Sequence, residues 1–473
     1  RLMNTKATWG VIGMGVLGTN LSRNFAKKGI SLALYNRFVK DHEEQVAYQR
    51  TQDYPELKTA QPFESLAPFT AALESPRKIL IMLPAGIIID QVLNELIPLL
   101  SEGDVLIDGG NSHYKDTQKR VALFANKKIH FLGMGVSGGE IGALNGPSLM
   151  VGGNVDGYHI VSKDLEALAA KNSAGLSCCG YLGNGGAGHY VKMVHNGIEY
   201  VEMQLIAEIF ELCLPSDDGS LDKIQRLFED WQKSSSQNYL LGISAKILSY
   251  KENGEPFIHR ILDRASNKGT GAWATASGAM TGFPNSLMAA ALHARFTSSF
   301  KTEREKFAKQ YPSTVSPAEG ISPELKKTYD LCRWINHHQG FEMIKHTGIL
   351  YEWDLDLAKV AQLWSEGCII KSTLMDQLCS LFTKSSSILT MNPFKTLVVE
   401  GQKEWMSVIA YGLKQAIPIP CISSAWNYYL AMTQAQSSAH LIQAQRDFFG
   451  AHGFEQIDQK TDHLTHGPWA THA

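Results

Sequence analysis

TWGVIGMGVLG, residues 8–18, decides the fold of the N-terminal part of this chain. Its apolar start predicts a buried strand, and the glycines after it open a helix that we expect to run to about Lys28. In this setting Gly13 permits a tight turn, Gly15 lets a pyrophosphate approach the backbone, and Gly18 lets the helix pack closely against the sheet. Because the helix N-terminus faces the anion, the stretch predicts a dinucleotide site, with a purely structural glycine turn as the alternative.

Short apolar runs continue to alternate with helical patterns up to about residue 185. The predicted strands are Thr8–Ile12, Ser31–Tyr35, Lys78–Leu83, Asp104–Ile107 and Ile129–Leu132. Each run ends in or near a turn residue, and this alternation predicts a mostly parallel, doubly wound α/β sheet of the Rossmann-like type.

A change in composition marks the end of this part. Residues 1–188 hold 24 of the 41 glycines, and helical periodicity prevails afterwards. The clearest helical stretches are Val191–Cys213, Leu221–Lys233 and Asp356–Thr383. We therefore predict a Rossmann-like dinucleotide-binding domain over 1–185, a large all-α domain over 186–438, and a C-terminal tail over 439–473 that becomes polar and aperiodic from about Asp458.

Composition argues against several classes of protein. The 44 basic and 46 acidic residues give a formal charge of −2, which argues against nucleic acid or an anionic membrane as a main partner. The seven cysteines are scattered and include no C-x-x-C pair, so we expect reduced thiols, no metal site and a cytoplasmic location. The same location is expected because the first residues carry no apolar signal core and the longest apolar run is too short to span a bilayer.

Asn36 and Arg37 follow the second strand, where an NAD enzyme carries an acidic residue for the ribose 2′-hydroxyl. A guanidinium there favours a 2′-phosphate, because it offers both a bidentate fork and a flat face for the adenine. The pattern thus predicts NADP as the cofactor, unless Arg37 is a solvated surface residue.

A third motif, residues 183–200, leads from a glycine run into a helix. One face of that helix is polar and carries Lys192, His195, Asn196, Glu199 and Tyr200. The rest is apolar, so we expect a buried helix whose polar stripe lines a cleft; the alternative is a solvated face. Burial lowers the pKa of a lysine and raises that of a carboxyl, which suits Lys192 as a general base and Glu199 as a general acid near neutral pH.

Further polar turns follow predicted strands at 108–112 and 135–139. Ligands of open α/β sheets bind at the carboxyl ends of the strands, so these turns are either ligand contacts or ordinary loops. The segment 267–271, together with Arg295 on a later helical stretch, offers an anchor for a phosphate or a carboxylate.

With these motifs the chain resembles the decarboxylating 6-phosphogluconate dehydrogenases over nearly its whole length. The matching segments are the N-terminal glycine motif, Ile107–Ser112, Val136–Glu140, Gly188–Glu199, Lys268–Gly271, Gly367–Ile370 and Gln443–His452. Many dehydrogenases share the glycine motif, whereas the block around Lys192 and the segment from Arg446 to His452 are close to family-specific.

The resemblance implies a reaction. 6-Phospho-D-gluconate would be oxidised at carbon 3 by NADP and would lose carbon dioxide to give D-ribulose 5-phosphate, a step of the pentose phosphate pathway and of gluconate utilisation. Lys192 would take the hydroxyl proton and then polarise the new ketone, and Glu199 would protonate carbon 1 of the enediol. Electrostatic stabilisation of the oxyanion suffices for this chemistry, so the resemblance implies no metal.

The resemblance also implies ligand contacts and an assembly. The implied cofactor contacts are Gly13, Met14, Gly15, Val16, Leu17, Gly18, Asn36, Arg37, Phe38 and Asn111. The implied substrate contacts are Asn111, Ser137, Gly138, Gly139, His195, Asn196, Tyr200, Lys268, Thr270, Arg295, Arg446 and His452. Because members of the family are homodimers whose tails cross over, Arg446 and His452 would complete the site of the neighbouring subunit.

Three departures from the family pattern concern ligand contacts. Phe38 stands where the family commonly has threonine after Asn-Arg, which removes a hydroxyl from the 2′-phosphate site. Residues 141–144 lack two charges that often follow Glu140, and Ala272 stands where lysine is frequent. We expect these changes to alter affinities and to leave the activity in place.

Two other functions stay open at this point. A non-decarboxylating β-hydroxyacid dehydrogenase would share the glycine motif and a helix lysine, but it would not need the phosphate contacts Lys268, Arg446 and His452. A catalytically silent dinucleotide-binding protein would not need the Lys192–Glu199 pair.

Overall fold

The computed structural model describes residues 5–215, 220–315, 324–459 and 462–471. These residues form two compact units, which divide between Ser424 and Ala425. The first unit contains one large sheet and most of the helices, and the second contains the C-terminal segment.

One eight-stranded sheet organises the N-terminal part of the first unit. Its strands are β1 (Trp9–Ile12), β2 (Leu32–Tyr35), β3 (Gln61–Phe63), β4 (Lys78–Ile81), β5 (Val105–Asp108), β6 (His130–Ser137), β7 (Ser148–Gly153) and β8 (Cys179–Gly183). They lie in the order β3-β2-β1-β4-β5-β6-β7-β8, and all neighbours are parallel except β6 and β7.

Helices make up most of the rest of the described chain. Up to the last strand of the sheet they are α1 (Val16–Lys27), α2 (Val46–Asp53), α3 (Leu66–Ala71), α4 (Ile87–Leu96), α5 (Tyr114–Ala125), α6 (Gly139–Asn145) and α7 (Val155–Leu168). After the sheet they are α8 (Ala187–Cys213), α9 (Leu221–Gln232), α10 (Tyr239–Ser249), α11 (Thr270–Thr281), α12 (Ser286–Ser299), α13 (Lys301–Gln310), α14 (Lys326–Leu350), α15 (Leu357–Leu363), α16 (Thr373–Leu381), α17 (Asn392–Lys414), α18 (Pro420–Met432) and α19 (Ala439–Gly450). A two-stranded hairpin, β9 (Lys251–Glu252) and β10 (Glu255–Pro256), interrupts the helical part.

Apolar side chains fill both faces of the sheet. On one face, Val11 packs with Phe25 of α1 and Leu165 of α7 in one buried cluster. On the other face, Ile79 packs in a second cluster with Phe124 of α5, together with residues of α3 and α4. A sheet with helices on both faces is doubly wound, so the predicted α/β Rossmann-like class and the helical part that follows it are confirmed.

The five predicted strands are present, with one of them longer than predicted. β6 continues to Ser137, and three strands of the sheet were missed, namely β3, β7 and β8, as was the hairpin of β9 and β10. β3 is short, lies at the edge and contains Pro62, which is typical of edge strands. β7 and β8 carry several glycines, which weaken a strand pattern in the sequence.

The predicted helical stretch Asp356–Thr383 is not one continuous helix. It forms two helices, α15 and α16, and the loop between them hydrogen-bonds to the sheet through its backbone. The Gly367 carbonyl accepts from the amide of Ser148, the first residue of β7, at 2.9 Å. In a continuous helix, the Gly367 carbonyl would instead accept a hydrogen bond from an amide of the same helix.

Helix α8 lies directly against the sheet, because small residues allow the approach. A Cβ atom on Gly135 of β6 would overlap the Cβ of Lys192, and one on Gly188 would overlap the carbonyl oxygen of Gly133. The close contact places the polar stripe of α8 beside the carboxyl ends of the strands. Among the described residues, no helix is both long enough and apolar enough to cross a membrane.

Candidate active site

A cavity of about 410 Å³ opens where the carboxyl ends of the strands meet α8. Its lining residues come from the first turn of α1, the loop after β5, the end of β6 with the start of α6, α8, the segment leading into α11, α12, and the loop between α15 and α16. They are Leu17, Asn111, Val136, Ser137, Gly138, Gly139, Lys192, Asn196, Glu199, Tyr200, Met203, Ser266, Asn267, Lys268, Thr270, Arg295 and Ile369. Four of the five residues of the predicted stripe, Lys192, Asn196, Glu199 and Tyr200, therefore line a cleft, whereas His195 does not.

Lys192 is buried on α8, and its ammonium group reaches a small set of polar atoms. Nζ donates to Oδ1 of Asn196 at 2.8 Å and lies 3.5 Å from Nδ1 of His195. Burial lowers the pKa of Lys192, and the negative charge of Glu199 opposes that shift. The environment thus favours an uncharged amine at a lower pH than that of an ordinary lysine.

Glu199 lies two turns further along the same face. Burial raises the pKa of its carboxyl, and the positive charges of Lys192 and Arg295 lower that pKa by a smaller amount. A lysine with a lowered pKa and a carboxyl with a raised pKa therefore line one cavity. This pairing places a candidate base and a candidate acid in the same cavity.

His195 is fully buried behind the wall of the cavity and joins two of the lining residues. Its Nδ1 lies 3.1 Å from Oδ1 of Asn196, and its Nε2 lies 3.1 Å from the hydroxyl of Ser137. Since Asn196 Oδ1 can only accept, we assign the proton to Nδ1, which leaves Nε2 to accept from Ser137. Burial, with the charge of Lys192, keeps the pKa of His195 well below its usual value, so the ring is neutral.

The far end of the cavity is basic. The Arg295 guanidinium lies over the ring of Tyr200, 3.6 Å from the ring centroid, and donates to the carbonyl of Ser266 at 3.1 Å. Thr270 begins α11 after Gly269, and Lys268 precedes the turn. Two cations and a helix N-terminus at one end of a cavity can hold a phosphate.

Gly271 explains how the ring of Tyr200 reaches that position. A Cβ atom on Gly271 would overlap the ring carbons of Tyr200. Because Gly271 has no side chain, the Tyr200 ring can lie against α11, beneath the Arg295 guanidinium.

The glycine turn after β1 fits a dinucleotide. A Cβ on Gly13 would overlap the carbonyl oxygen of Met82, and one on Gly18 would overlap the carbonyl oxygen of Gly13. A Cβ on Gly15 would meet none of the described atoms within 4 Å. Gly13 and Gly18 are thus required by packing, and Gly15 leaves open space in front of the N-terminus of α1, where a pyrophosphate can approach.

Met14, Val16 and Leu17 complete this turn. The Met14 amide donates to Oδ1 of Asn36 at 3.0 Å, which ties the turn to the end of β2. Val16 and Leu17 are exposed apolar residues on the first turn of α1. The predicted contact residues of the glycine motif are therefore brought together around one open space.

The residues after β2 are also placed near this turn. Arg37 is exposed and donates from Nη2 to Oε1 of Glu43 at 2.8 Å, and Phe38 is exposed as well. Asn36 donates from Nδ2 to Oε2 of the same Glu43 at 2.9 Å. Glu43 was not predicted from the sequence, because its contacts with Asn36 and Arg37 depend on the conformation of the loop after β2.

Arg446 and His452 lie in the second unit and are both exposed. Arg446 is on α19 and donates to Oε1 of Gln443 at 2.9 Å. Within this unit the segment after α19 is ordered around a buried carboxylate, that of Asp447. Its oxygens accept from the amides of Gly453 and Gly467 at 2.9 Å and from the Trp469 indole at 2.8 Å.

Some lining residues were not predicted. Met203 lies one turn beyond Glu199 on α8, so an extension of the stripe by helical periodicity finds it. Ser266 and Asn267 directly precede Lys268 in the chain. Ile369 is on the loop between α15 and α16, within the matching segment Gly367–Ile370, but it was not predicted as a site residue.

A second cavity, of about 660 Å³, lies between α9, α10 and the start of α16. Its rim carries the ion pair of Lys371 with Glu366, whose Nζ–Oε1 distance is 2.6 Å. None of the predicted site residues lines it. The smaller cavity beside α8 is therefore the candidate active site.

Comparison with known proteins identifies related proteins over nearly the whole chain. The model for the NAD binding domain of 6-phosphogluconate dehydrogenase matches residues 8–183, and the model for the C-terminal domain of 6-phosphogluconate dehydrogenase matches residues 188–469. A Haemophilus influenzae protein named 6-phosphogluconate dehydrogenase, decarboxylating, is 38% identical over 475 residues, which is 99% of this chain and 97% of the relative. A Staphylococcus aureus protein of the same name is 39% identical over 459 residues, or 95% of this chain and 97% of the relative.

A solved structure is similar throughout. The Plasmodium falciparum 6-phosphogluconate dehydrogenase was solved in its apo form, with its cofactor NADP+ and with its substrate 6-phosphogluconate. It aligns with a TM-score of 0.92 at 30% identity, covering 98% of this chain and 100% of that chain. The paired lysine and glutamate on α8, the basic end of the cavity and these matches lead to one assignment: the chain belongs to the 6-phosphogluconate dehydrogenase family.

Proposed function

We propose that the protein oxidises and decarboxylates 6-phospho-D-gluconate to D-ribulose 5-phosphate and carbon dioxide, with NADP as the hydride acceptor. The observation that carries the proposal is the single cavity lined by Lys192, Glu199 and a basic end. Burial shifts the pKa values of Lys192 and Glu199 in opposite directions. A substrate that must lose a proton, later gain one and carry a phosphate needs these three features.

Lys192 acts first, as a general base. Its uncharged amine takes the proton from the hydroxyl at carbon 3 of the substrate, while the bound nicotinamide accepts the hydride from the same carbon. The resulting ammonium then faces the new ketone. The lowered pKa of Lys192 supports this order, because burial makes the uncharged amine easier to reach than in an ordinary lysine.

The ketone makes the second step possible. It lies β to the carboxylate, so the electrons of the breaking bond to carbon 1 flow onto the ketone oxygen, where the ammonium of Lys192 stabilises the charge. Carbon dioxide leaves and an enediol remains. Glu199, whose carboxyl pKa is raised by burial, delivers a proton to what is now carbon 1 of ribulose 5-phosphate.

The remaining lining residues orient the substrate. We assign the sugar acid to Asn111, Ser137, Gly138, Gly139 and Asn196, and the phosphate to Tyr200, Lys268, Thr270 and Arg295. His195 holds the Ser137 hydroxyl and the Asn196 amide in place through the hydrogen bonds described above. Its direct contact with the substrate stays a prediction.

The residues present fit NADP. The open space at Gly15 suits the pyrophosphate, and the exposed Arg37 at the end of β2 suits a 2′-phosphate. We therefore place the cofactor along Gly13–Gly18 and Asn36–Phe38, with Asn111 between the cofactor and the substrate.

The assembly and location belong to the same proposal. We propose a homodimer in which Arg446 and His452 complete the neighbouring subunit's site, in a cytoplasmic enzyme. We also propose a division into an NADP-binding domain over 1–185, a helical substrate and dimerisation domain over 186–438, and a tail over 439–473. The exposure of Arg446 and His452 supports the role of the tail, since both side chains are free to meet another chain.

The decisive experiment mixes the purified protein with 6-phosphogluconate and either NADP or NAD, and follows nicotinamide reduction and carbon dioxide release together. Reduction with equimolar carbon dioxide is the expected result. Reduction without carbon dioxide would instead identify a non-decarboxylating hydroxyacid dehydrogenase. Nucleotide binding without turnover would identify a catalytically silent binding protein.

A further inference from the structure

Glu43 is an unassigned carboxylate at the end of the cofactor site, next to Arg37. Its Oε1 accepts from Arg37 Nη2 at 2.8 Å and from Arg37 Nε at 3.2 Å, which is a two-pronged contact with the guanidinium. Its Oε2 accepts from Asn36 Nδ2 at 2.9 Å. The carboxylate therefore occupies the fork of Arg37 that a 2′-phosphate needs.

The backbone of the loop after β2 holds Glu43 in this position. The Val39 amide donates to the Glu43 carbonyl at 2.7 Å, and the Glu43 amide donates back to the Val39 carbonyl at 2.7 Å. This closed loop brings the carboxylate over Arg37, six residues earlier in the chain. The contact is thus part of the fold of the loop.

The pair is exposed, so it can be opened. The side chains of Arg37 and Glu43 are 60% and 35% exposed, and exposed ion pairs contribute little to stability. The Arg37 guanidinium holds the pKa of Glu43 below its usual value, so the carboxylate stays charged at neutral pH. A 2′-phosphate must then displace a charged competitor from Arg37 and bind beside it.

We propose that Glu43 sets the cofactor preference of this protein, by competing with the 2′-phosphate of NADP for Arg37 and so narrowing the margin of NADP over NAD. Phe38 adds to this effect, since it supplies no hydroxyl to the phosphate. NAD brings a 2′-hydroxyl in place of the phosphate and leaves the Arg37–Glu43 pair intact. The inference rests on the NADP site of the proposed function and names a residue that tunes it.

The test compares nucleotide binding with and without the charge at position 43. Dissociation constants of NADPH and NADH are measured by fluorescence titration for the full-length wild type and for Glu43→Gln. Glutamine keeps an acceptor for Asn36 and removes the charge. We expect the ratio of the NADH constant to the NADPH constant to rise by about threefold to fivefold, the size of effect that an exposed ion pair can produce.

A neighbouring residue provides the matched control. Glu44 is exposed, and its Oε1 accepts from the amide of Asp41 at 2.8 Å. Glu44→Gln removes the same charge from the same loop, so it should leave the ratio near the wild-type value. Glu43→Asp keeps the charge and should also stay closer to the wild type than Glu43→Gln does.

Three results would overturn the inference. An unchanged ratio in Glu43→Gln, or an equal rise in Glu44→Gln, overturns it alone and leaves the proposed function standing. A wild type that binds neither nucleotide overturns both. A shifted ratio in a protein that does not oxidise 6-phosphogluconate supports the inference and overturns the proposed function, so the two failures are distinguishable.

Discussion

Lys192 and Glu199 show that the surroundings of a residue decide its chemistry. Each is an ordinary helix residue by type, and burial moves their pKa values towards each other. The two side chains are seven residues apart, so they project from the same face of α8 into the cavity. One element therefore supplies both the proposed acid and the proposed base.

Replacing Lys192 with methionine should remove the base while it preserves the packing of the stem. We expect Lys192→Met to lower kcat/KM by roughly 100- to 10,000-fold, the usual contribution of general acid–base catalysis. NADPH binding, measured by fluorescence titration, should stay near the wild-type value because the lysine lies outside the glycine turn. A variant with near-normal turnover would show that another group takes the hydroxyl proton.

Replacing Glu199 with glutamine should separate the last proton transfer from the first. The charge of Glu199 raises the pKa of Lys192, so its removal lowers that pKa and leaves the amine uncharged at lower pH. We expect the acid limb of the NADPH-forming step, followed in single turnovers, to move to lower pH in Glu199→Gln. A limb that stays in place or moves upward would contradict the coupling.

The same variant has a second readout on the product side. Glu199→Gln should strongly slow the exchange of the carbon 1 proton of ribulose 5-phosphate with deuterated water, followed by NMR. Glu211→Gln, an exposed carboxylate further along α8, is the matched control and should leave the exchange rate unchanged. Normal exchange in Glu199→Gln would assign the acid to another residue.

At the scale of an element, two glycines at the junction of β1 and α1, Gly15 and Gly18, have different roles. Gly18 faces the carbonyl of Gly13, whereas Gly15 faces open space and has an ordinary negative φ of −69°. Close packing requires a glycine at position 18, whereas the approach of a ligand requires one at position 15. Substitution by alanine should tell the two demands apart.

We expect Gly18→Ala to lower the free energy of unfolding by about 1–3 kcal/mol or more, because its Cβ overlaps the backbone. Gly15→Ala should change that free energy by less than about 0.5 kcal/mol. It should, however, weaken NADPH binding by roughly tenfold, because the methyl group occupies the approach of the pyrophosphate. Denaturant unfolding and fluorescence titration measure the two effects, and normal nucleotide binding by Gly15→Ala would argue against this site.

Helix α8 is itself held by long-range contacts. Arg333 of α14 donates from Nε to Oε2 of the buried Glu202 at 3.1 Å, and Asn336 donates to the carbonyl of Ile198 at 3.1 Å. These contacts lie within a turn of Glu199. They fix the rotation of α8, and hence the direction in which its polar stripe faces.

At the scale of the whole molecule, the proposed role of the C-terminal segment leads to two predictions. The proposed role of Arg446 and His452 requires them to reach the site of another subunit. A chain truncated before Gln443 should therefore be inactive, measured as NADPH formation. Full activity of the truncated chain would remove these two residues from the mechanism.

A mixing experiment tests the exchange between subunits directly. Lys192→Met and Arg446→Ala are each expected to be inactive alone. If the tail completes the neighbour's site, hybrid dimers contain one intact site, and refolding an equal mixture should restore roughly a quarter of wild-type activity. An inactive mixture that contains hybrid dimers would contradict the exchange.

Local patterns made part of this molecule predictable. The alternation of apolar runs and turns identified β1, β2, β4, β5 and the start of β6, and helical periodicity identified α8 and its polar face. β7 was missed because its glycines weaken the strand pattern in the sequence. The break between α15 and α16 was missed because it involves a long-range hydrogen bond, in which the Ser148 amide donates to the Gly367 carbonyl.

The sequence alone determined which residues could do the chemistry, because the glycine turn, the spacing of Lys192 and Glu199, and the basic segment at Lys268 are local signals. The tertiary structure decided the environment of those residues. Burial, which shifts both pKa values, depends on the packing of α8 against the sheet and α14. The pairing of Glu43 with Arg37 likewise arises only when the loop after β2 closes. Desolvation and charge pairing act through space, so they follow from the fold and not from spacing along the chain.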